Sequence, residues 1–198
     1  MMDNGFQRRL EAIVHERRHS HVLQQPLARG VSRAGVMLHY DDSSRDEWAL
    51  EWFSDPRCTN GYTWLVLDDG RVVQLADPAM RTPHAGACRT PNANSVYWGI
   101  AAATNGLVVA TPAQLDSIVR LCAALLPEGA TIVGHDAESI WTPKTTRAAG
   151  MSDERGGALW GKRGRKVDPT GVRKDRVPII NVDEIVRRVS EESGAREG

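Results

Sequence analysis

Gly35-Val36-Met37-Leu38-His39-Tyr40 is a short apolar run that follows Gly30 and closes on a histidine. Such a run, bounded by glycine and lacking polar alternation, predicts a strand buried on both faces. Ser95 to Ala103 is a second stretch of the same kind, small and apolar enough to be central. Thr131-Ile132-Val133-Gly134 is a third, leading directly into His135. Tyr62 to Leu67 and Arg71 to Leu75 flank Asp69-Gly70, the strongest hairpin signal in the chain.

Helical signals lie between and around these strands. Phe6, Leu10, Ile13 and Val14 recur at helical spacing and predict an amphipathic helix over 5–19. Ser44 with Glu47 reads as a capping box for a helix to about Phe53, with Trp48 and Trp52 one turn apart and Asp55-Pro56 as its stop. Thr111-Pro112-Ala113-Gln114 is a second capping box, followed by the stripe Leu115, Ile118, Val119, Cys122, Leu125 and Leu126. Asn181 with Glu184 caps a last helix over 182–192. Residues 137–165 lack periodicity, are rich in Gly, Arg, Lys and Thr, and read as a long loop or insertion. Strands interleaved with helices predict an α/β fold, a single domain over 1–198 with a central mixed β-sheet flanked by helices.

The chain of 198 residues carries 25 basic and 25 acidic side chains, so no overall field argues for nucleic acid or a membrane surface. Cys58, Cys88 and Cys122 form no CxxC pair, which argues against a disulfide framework and fits a reducing compartment. Met1 to Ser20 is polar and charged, with no apolar core of a signal peptide, and no segment approaches the length of a membrane span. These features predict a cytoplasmic location.

Three side chains stand where chemistry is expected. His39 and His135 each end a predicted central strand, where open α/β sheets place their sites. Asp168 lies in Lys166-Val167-Asp168-Pro169, near the end of the chain. Taken singly, each histidine also reads as a hydrogen-bonded core residue, Asp168 as part of an Asp-Pro turn, and Lys166 as one charge of the basic run Lys162, Arg163, Arg165, Lys166. Taken together, two histidines and one carboxylate are a three-ligand set that leaves a metal position open for water and substrate. Lys166 is two residues before Asp168, so in an extended segment both project to the same side. Tyr62, at the start of a hairpin strand, supplies a phenol that can orient water or donate to an oxyanion. His84 lies among small neighbours in Pro83-His84-Ala85-Gly86, which allow close approach of another chain or a ligand.

In this order, over about residues 33–170, these elements resemble the zinc-dependent N-acetylmuramoyl-L-alanine amidase family. That family includes amidase-type phage lysozymes, cytoplasmic muropeptide-recycling amidases and peptidoglycan recognition proteins. The resemblance rests on the strand ending in His39, Gly61-Tyr62-Thr63-Trp64, Leu67-Asp68-Asp69-Gly70-Arg71-Val72 and His84-Ala85-Gly86. It continues through Asn94-Ser95 with Gly99-Ile100, Thr111-Pro112-Ala113-Gln114, Gly134-His135 and Lys166-Val167-Asp168-Pro169. It implies that His39, His135 and Asp168 bind Zn2+, that Tyr62 and Lys166 are catalytic, and that His84, Asn94 and Thr63 lie along the substrate groove. The reaction it implies is hydrolysis of the amide between N-acetylmuramic acid and L-alanine of the peptidoglycan stem.

The departures are informative. Ala101 stands where recycling enzymes carry a glutamate, and Thr63 stands where a histidine commonly follows the tyrosine. Asp168 occupies a position where some phage members have cysteine. The leading expectation is a phage or prophage endolysin, a bacteriolytic monomer held in the cytoplasm and acting on the cell wall after release. The alternatives are a recycling amidase acting on soluble muropeptides, disfavoured by Ala101, and a non-catalytic peptidoglycan-binding or regulatory protein. About 30 residues flank the resemblance on each side, too few for a second domain with its own core.

Overall fold

The predicted strand at Gly35–Tyr40 is present, and all of its residues are buried. In the computed structural model, the described residues are 4–18, 20–86, 88–105, 107–126, 130–138 and 178–194. Among them the strands are β1 (Val14–Arg17), β2 (Gly35–Tyr40), β3 (Trp64–Val66), β4 (Val72–Gln74), β5 (Tyr97–Ala102) and β6 (Thr131–Gly134). They form one sheet of order β1-β4-β3-β5-β2-β6. The β3–β4 hairpin is antiparallel, and β3–β5, β5–β2, β2–β6 and β1–β4 are parallel. The helices are α1 (Asn4–Glu11), α2 (Asp46–Ser54), α3 (Ala93–Val96), α4 (Pro112–Leu125), α5 (His135–Glu138) and α6 (Val182–Gly194). The chain is thus a single α/β domain with a mixed, helix-flanked sheet. No described helix is long and apolar enough to cross a membrane.

Strand alternation sorts the side chains into two faces. Val36, Leu38 and Tyr40 of β2, with Trp98, Ile100 and Ala102 of β5, face a large core closed by residues of α1, α4 and α6. On the other face, Leu65, Leu67, Val73, Ala101 and Ala103 pack against Ala49 and Phe53 of α2. Met37 and Tyr97 pack there with Ala85 and Ala93. His39 alternates with Met37 and so points to this second face.

Three local elements differ from the sequence expectation. The predicted helix over 5–19 ends at Glu11, and Val14–Arg17 is a strand paired with Val72–Gln74. The open edge of β4 offers backbone donors and acceptors that local helical spacing cannot reveal, and His15 Nδ1 accepts the Val72 amide at 3.1 Å. The Ser44 capping box is not formed: α2 starts after Arg45 with no side-chain cap bond. The Asp46 carboxylate instead accepts the Asp68 amide of the hairpin at 3.1 and 3.2 Å. The strand expected from Ser95 begins at Tyr97, because Ala93–Val96 make one helical turn first.

The Thr111 box is present in full. Thr111 Oγ1 accepts from the Gln114 amide at 3.1 Å, and Gln114 Oε1 accepts from the Thr111 amide at 2.8 Å. Gln114 Nε2 then donates to the carbonyls of Val66 and Ala103, so the start of α4 is fastened to the ends of β3 and β5. Thr111→Ala is expected to cost about 1 kcal/mol of unfolding free energy. Denaturant melts of the two proteins test this, and an unchanged midpoint would refute it.

Candidate metal centre

His39 comes from the centre of the sheet and His135 from the first residue of α5, immediately after β6. β2 pairs with β5 on one side and β6 on the other, which brings the two histidines together from 96 residues apart. Both are buried. His39 Nδ1 and His135 Nδ1 are 3.0 Å apart, with ring centroids at 4.5 Å and planes inclined at 69°. The other ring nitrogen of His135, Nε2, lies 2.7 Å from the Ala85 carbonyl. That carbonyl can only accept, so Nε2 carries a hydrogen, and in the neutral ring Nδ1 is the lone pair toward His39.

His84 is buried behind His39, with its Nδ1 3.1 Å from His39 Nε2 and its Nε2 3.1 Å from the Tyr97 carbonyl. Its ring lies flat on β5 at Gly99, where a Cβ would stand 2.8 Å from His84 Cγ. Burial, reinforced by His39 and His135 nearby, holds its pKa well below the usual histidine value. Asn94 Oδ1 accepts from the amides of both His84 (3.0 Å) and Ala85 (2.8 Å) and so pins the loop. Arg33 anchors the same region: stacked on Trp98, it donates to the carbonyls of Asn94, Tyr97 and Met80. Burial lowers its guanidinium pKa to about 10.

Tyr62 is half-buried, its ring 4.8 Å from that of His39 and edge-on to Phe53 of α2 at 5.9 Å. Its hydroxyl donates to the Tyr40 carbonyl at 3.3 Å. Thr63 is wholly buried, its amide donating to the Gly99 carbonyl. Asp41, at the end of β2, is pushed up to about 6 by burial, against hydrogen bonds from Ser43 and Thr104 that favour its charged form. Ala101 is the register partner of His39 on the adjacent strand, so its methyl group lies beside that ring.

Of the expected residues, the fold thus gathers His39, His135, Tyr62 and His84, with Asn94 and Thr63 behind them. Lys166, Asp168 and most of the 137–165 loop lie outside the described residues. Among the described residues no three His, Cys, Asp or Glu side chains form a metal-binding group. The two described donors of the expected three converge. Two nitrogens bound to one tetrahedral zinc stand about 3.3 Å apart, from Zn–N lengths of about 2.0–2.1 Å. The observed 3.0 Å between the two Nδ1 atoms therefore fits a shared cation.

Sequence reading missed the bonding role of Asn94, the Arg33 anchor and the burial of His84 between His39 and β5. The available signal was Gly99, a glycine inside an otherwise apolar central strand, which marks close approach by another group. A separate open cavity of about 560 Å³ lies elsewhere, lined by residues including Arg17, Arg18, Gln74 and Asp77, and none of the three histidines borders it.

The fold and its geometry define an α/β protein with a histidine-lined site on one face of a mixed sheet. A profile of the N-acetylmuramoyl-L-alanine amidase family matches residues 30–169, and the chain belongs to that family. It is accordingly an amidase of peptidoglycan, and the resemblance read from its sequence is borne out. A search of curated proteins finds no match. Among solved structures it is similar to a selenomethionine derivative of AmpD, with TM-score 0.56 and 16% identity over 77% of this chain and 99% of that one. It is also similar to peptidoglycan recognition protein-LE, solved in complex with tracheal cytotoxin, with TM-score 0.50 and 14% identity over 67% of this chain and 88% of that one. At these identities the likeness is one of fold.

Proposed function

We propose that this chain is a zinc-dependent amidase of the endolysin type, cleaving the bond between N-acetylmuramic acid and L-alanine in intact cell wall. The observation that carries the zinc reading is the pair of Nδ1 atoms 3.0 Å apart on buried histidines. His39, His135 and Asp168 are the residues that would hold the ion. When bound there, zinc supplies Lewis acidity toward the amide carbonyl and an activated water at neutral pH.

The chain's own side chains then divide the remaining work. Tyr62, in ring contact with His39, orients water and shares the proton load. Lys166 meets negative charge as it develops on the carbonyl oxygen. Ala101 favours the wall-lysing type: no carboxylate stands at the position beside His39 where the recycling enzymes of the resemblance carry glutamate. The protein reaches the wall from the cytoplasm, after release.

The test compares zinc-loaded protein on purified sacculi and on soluble anhydro-muropeptides. Free L-alanyl amino groups are expected from sacculi, with activity removed by a chelator and restored by zinc. No release from either substrate would sink the amidase reading. Preference for the soluble substrate would assign the recycling role instead.

A further inference from the structure

We infer that His84 is a positioning residue. Together with the Ala85 carbonyl next to it, His84 fixes which ring nitrogen of each metal-binding histidine carries hydrogen. The inference rests on the zinc reading of His39 and His135 but concerns a residue that would not touch the metal.

The hydrogen positions are set outward from a backbone carbonyl. Tyr97 O can only accept, and it lies 3.1 Å from His84 Nε2, so that nitrogen is the N–H of a neutral His84. His84 Nδ1 is then a lone pair, and His39 Nε2, 3.1 Å away, must donate to it. His39 Nδ1 is left as a lone pair facing that of His135 Nδ1 at 3.0 Å, an arrangement that a cation between them satisfies. The opposite tautomer of His39 would reverse both bonds and set a His84 lone pair against the Tyr97 carbonyl. His135 is fixed independently, through Nε2 and the Ala85 carbonyl at 2.7 Å.

One short loop therefore orients both donors, from His84 to His39 and from Ala85 to His135. The loop is itself held by Asn94, whose Oδ1 accepts both of its amides. The His84 ring has room because position 99 is glycine. The far end of α5 docks on the same loop: Glu138 accepts from the amide and hydroxyl of Thr90, and its carbonyl from the Arg89 amide. Outer hydrogen bonds of this kind set ligand orientation and metal affinity.

The experiment measures zinc affinity by chelator competition in the full chain, its H84L and H84N variants, and G99A, with thermal unfolding of each in parallel. Histidine ring nitrogens are assigned by NMR in the zinc-loaded wild type. His39 is expected in the Nε2–H form. H84L should bind zinc roughly 10- to 100-fold more weakly. H84N should recover most of that loss, since its Oδ1 stands where Nδ1 stood and accepts the same hydrogen. G99A, which crowds the His84 ring, should weaken zinc binding without touching a ligand. An Nδ1–H form of His39, wild-type affinity in H84L, or equal loss in H84L and H84N overturns the proposal. A wild type that binds no zinc sinks the zinc reading and the relay with it, whereas normal zinc binding with any of those outcomes sinks the relay alone.

Discussion

Replacing His135 with alanine is expected to abolish zinc binding and wall hydrolysis together. The variant removes a donor that faces His39 at 3.0 Å and leaves the Ala85 carbonyl without its partner. Affinity should fall by more than the roughly 100-fold that outer-shell changes cost. A second readout needs no substrate. A ligand that binds only the folded state stabilises it by about 2.7 kcal/mol at 100 times its Kd. Wild-type protein should show that gain in a zinc-dependent melt, and H135A should show none. Lys166→Ala supplies the contrast, retaining zinc and losing about 10²- to 10³-fold in rate, as expected for one oxyanion donor. Asp168→Ala should lose both. Equal zinc loss in the lysine and aspartate variants would show that the two roles are wrongly divided.

The second large effect is expected from a methyl group far from any chemistry. A Cβ at Gly35 would stand 2.1 Å from the carbonyl oxygen of Thr131 and 3.0 Å from its carbon. Both are backbone atoms of β6, which pairs with β2 from Gly35↔Thr131 to Leu38↔Gly134. No side chain can rotate aside, so Gly35→Ala must push β6 away from β2. The expected cost exceeds about 3 kcal/mol, the top of the ordinary overpacking range. Because His135 directly follows β6, the same displacement should weaken zinc binding. Denaturant unfolding and zinc titration check the two consequences; wild-type values in both would refute the argument.

The sheet was legible where hydrophobic pattern and turn chemistry agree. β2, the β3–β4 hairpin, α4 with its capping box, and β6 all stand where the sequence predicts them. Elements whose stability comes from partners distant in sequence were not legible. Val14–Arg17 continues the helical spacing of Phe6 and Leu10, yet pairing with β4 pulls it into the sheet. Ser44 and Glu47 satisfy a local rule, yet contact with the hairpin sets the start of α2 through Asp46. His39 and His135 could be singled out because strand ends are known places for chemistry. The orienting role of His84 could not, because it depends on the Tyr97 carbonyl and on the empty side of Gly99.

β5 carries two interleaved messages. Trp98, Ile100 and Ala102 feed the helical core, whereas Gly99 and Ala101 form the bed on which His84 and His39 rest. Alternate letters of this strand therefore answer to different surroundings. A larger side chain at 98, 100 or 102 would press on the core beneath α1, α4 and α6, and one at 99 would press on His84. Position 101 answers to both His39 and the core against α2, so one small residue there carries the floor of the site and part of the architecture at once.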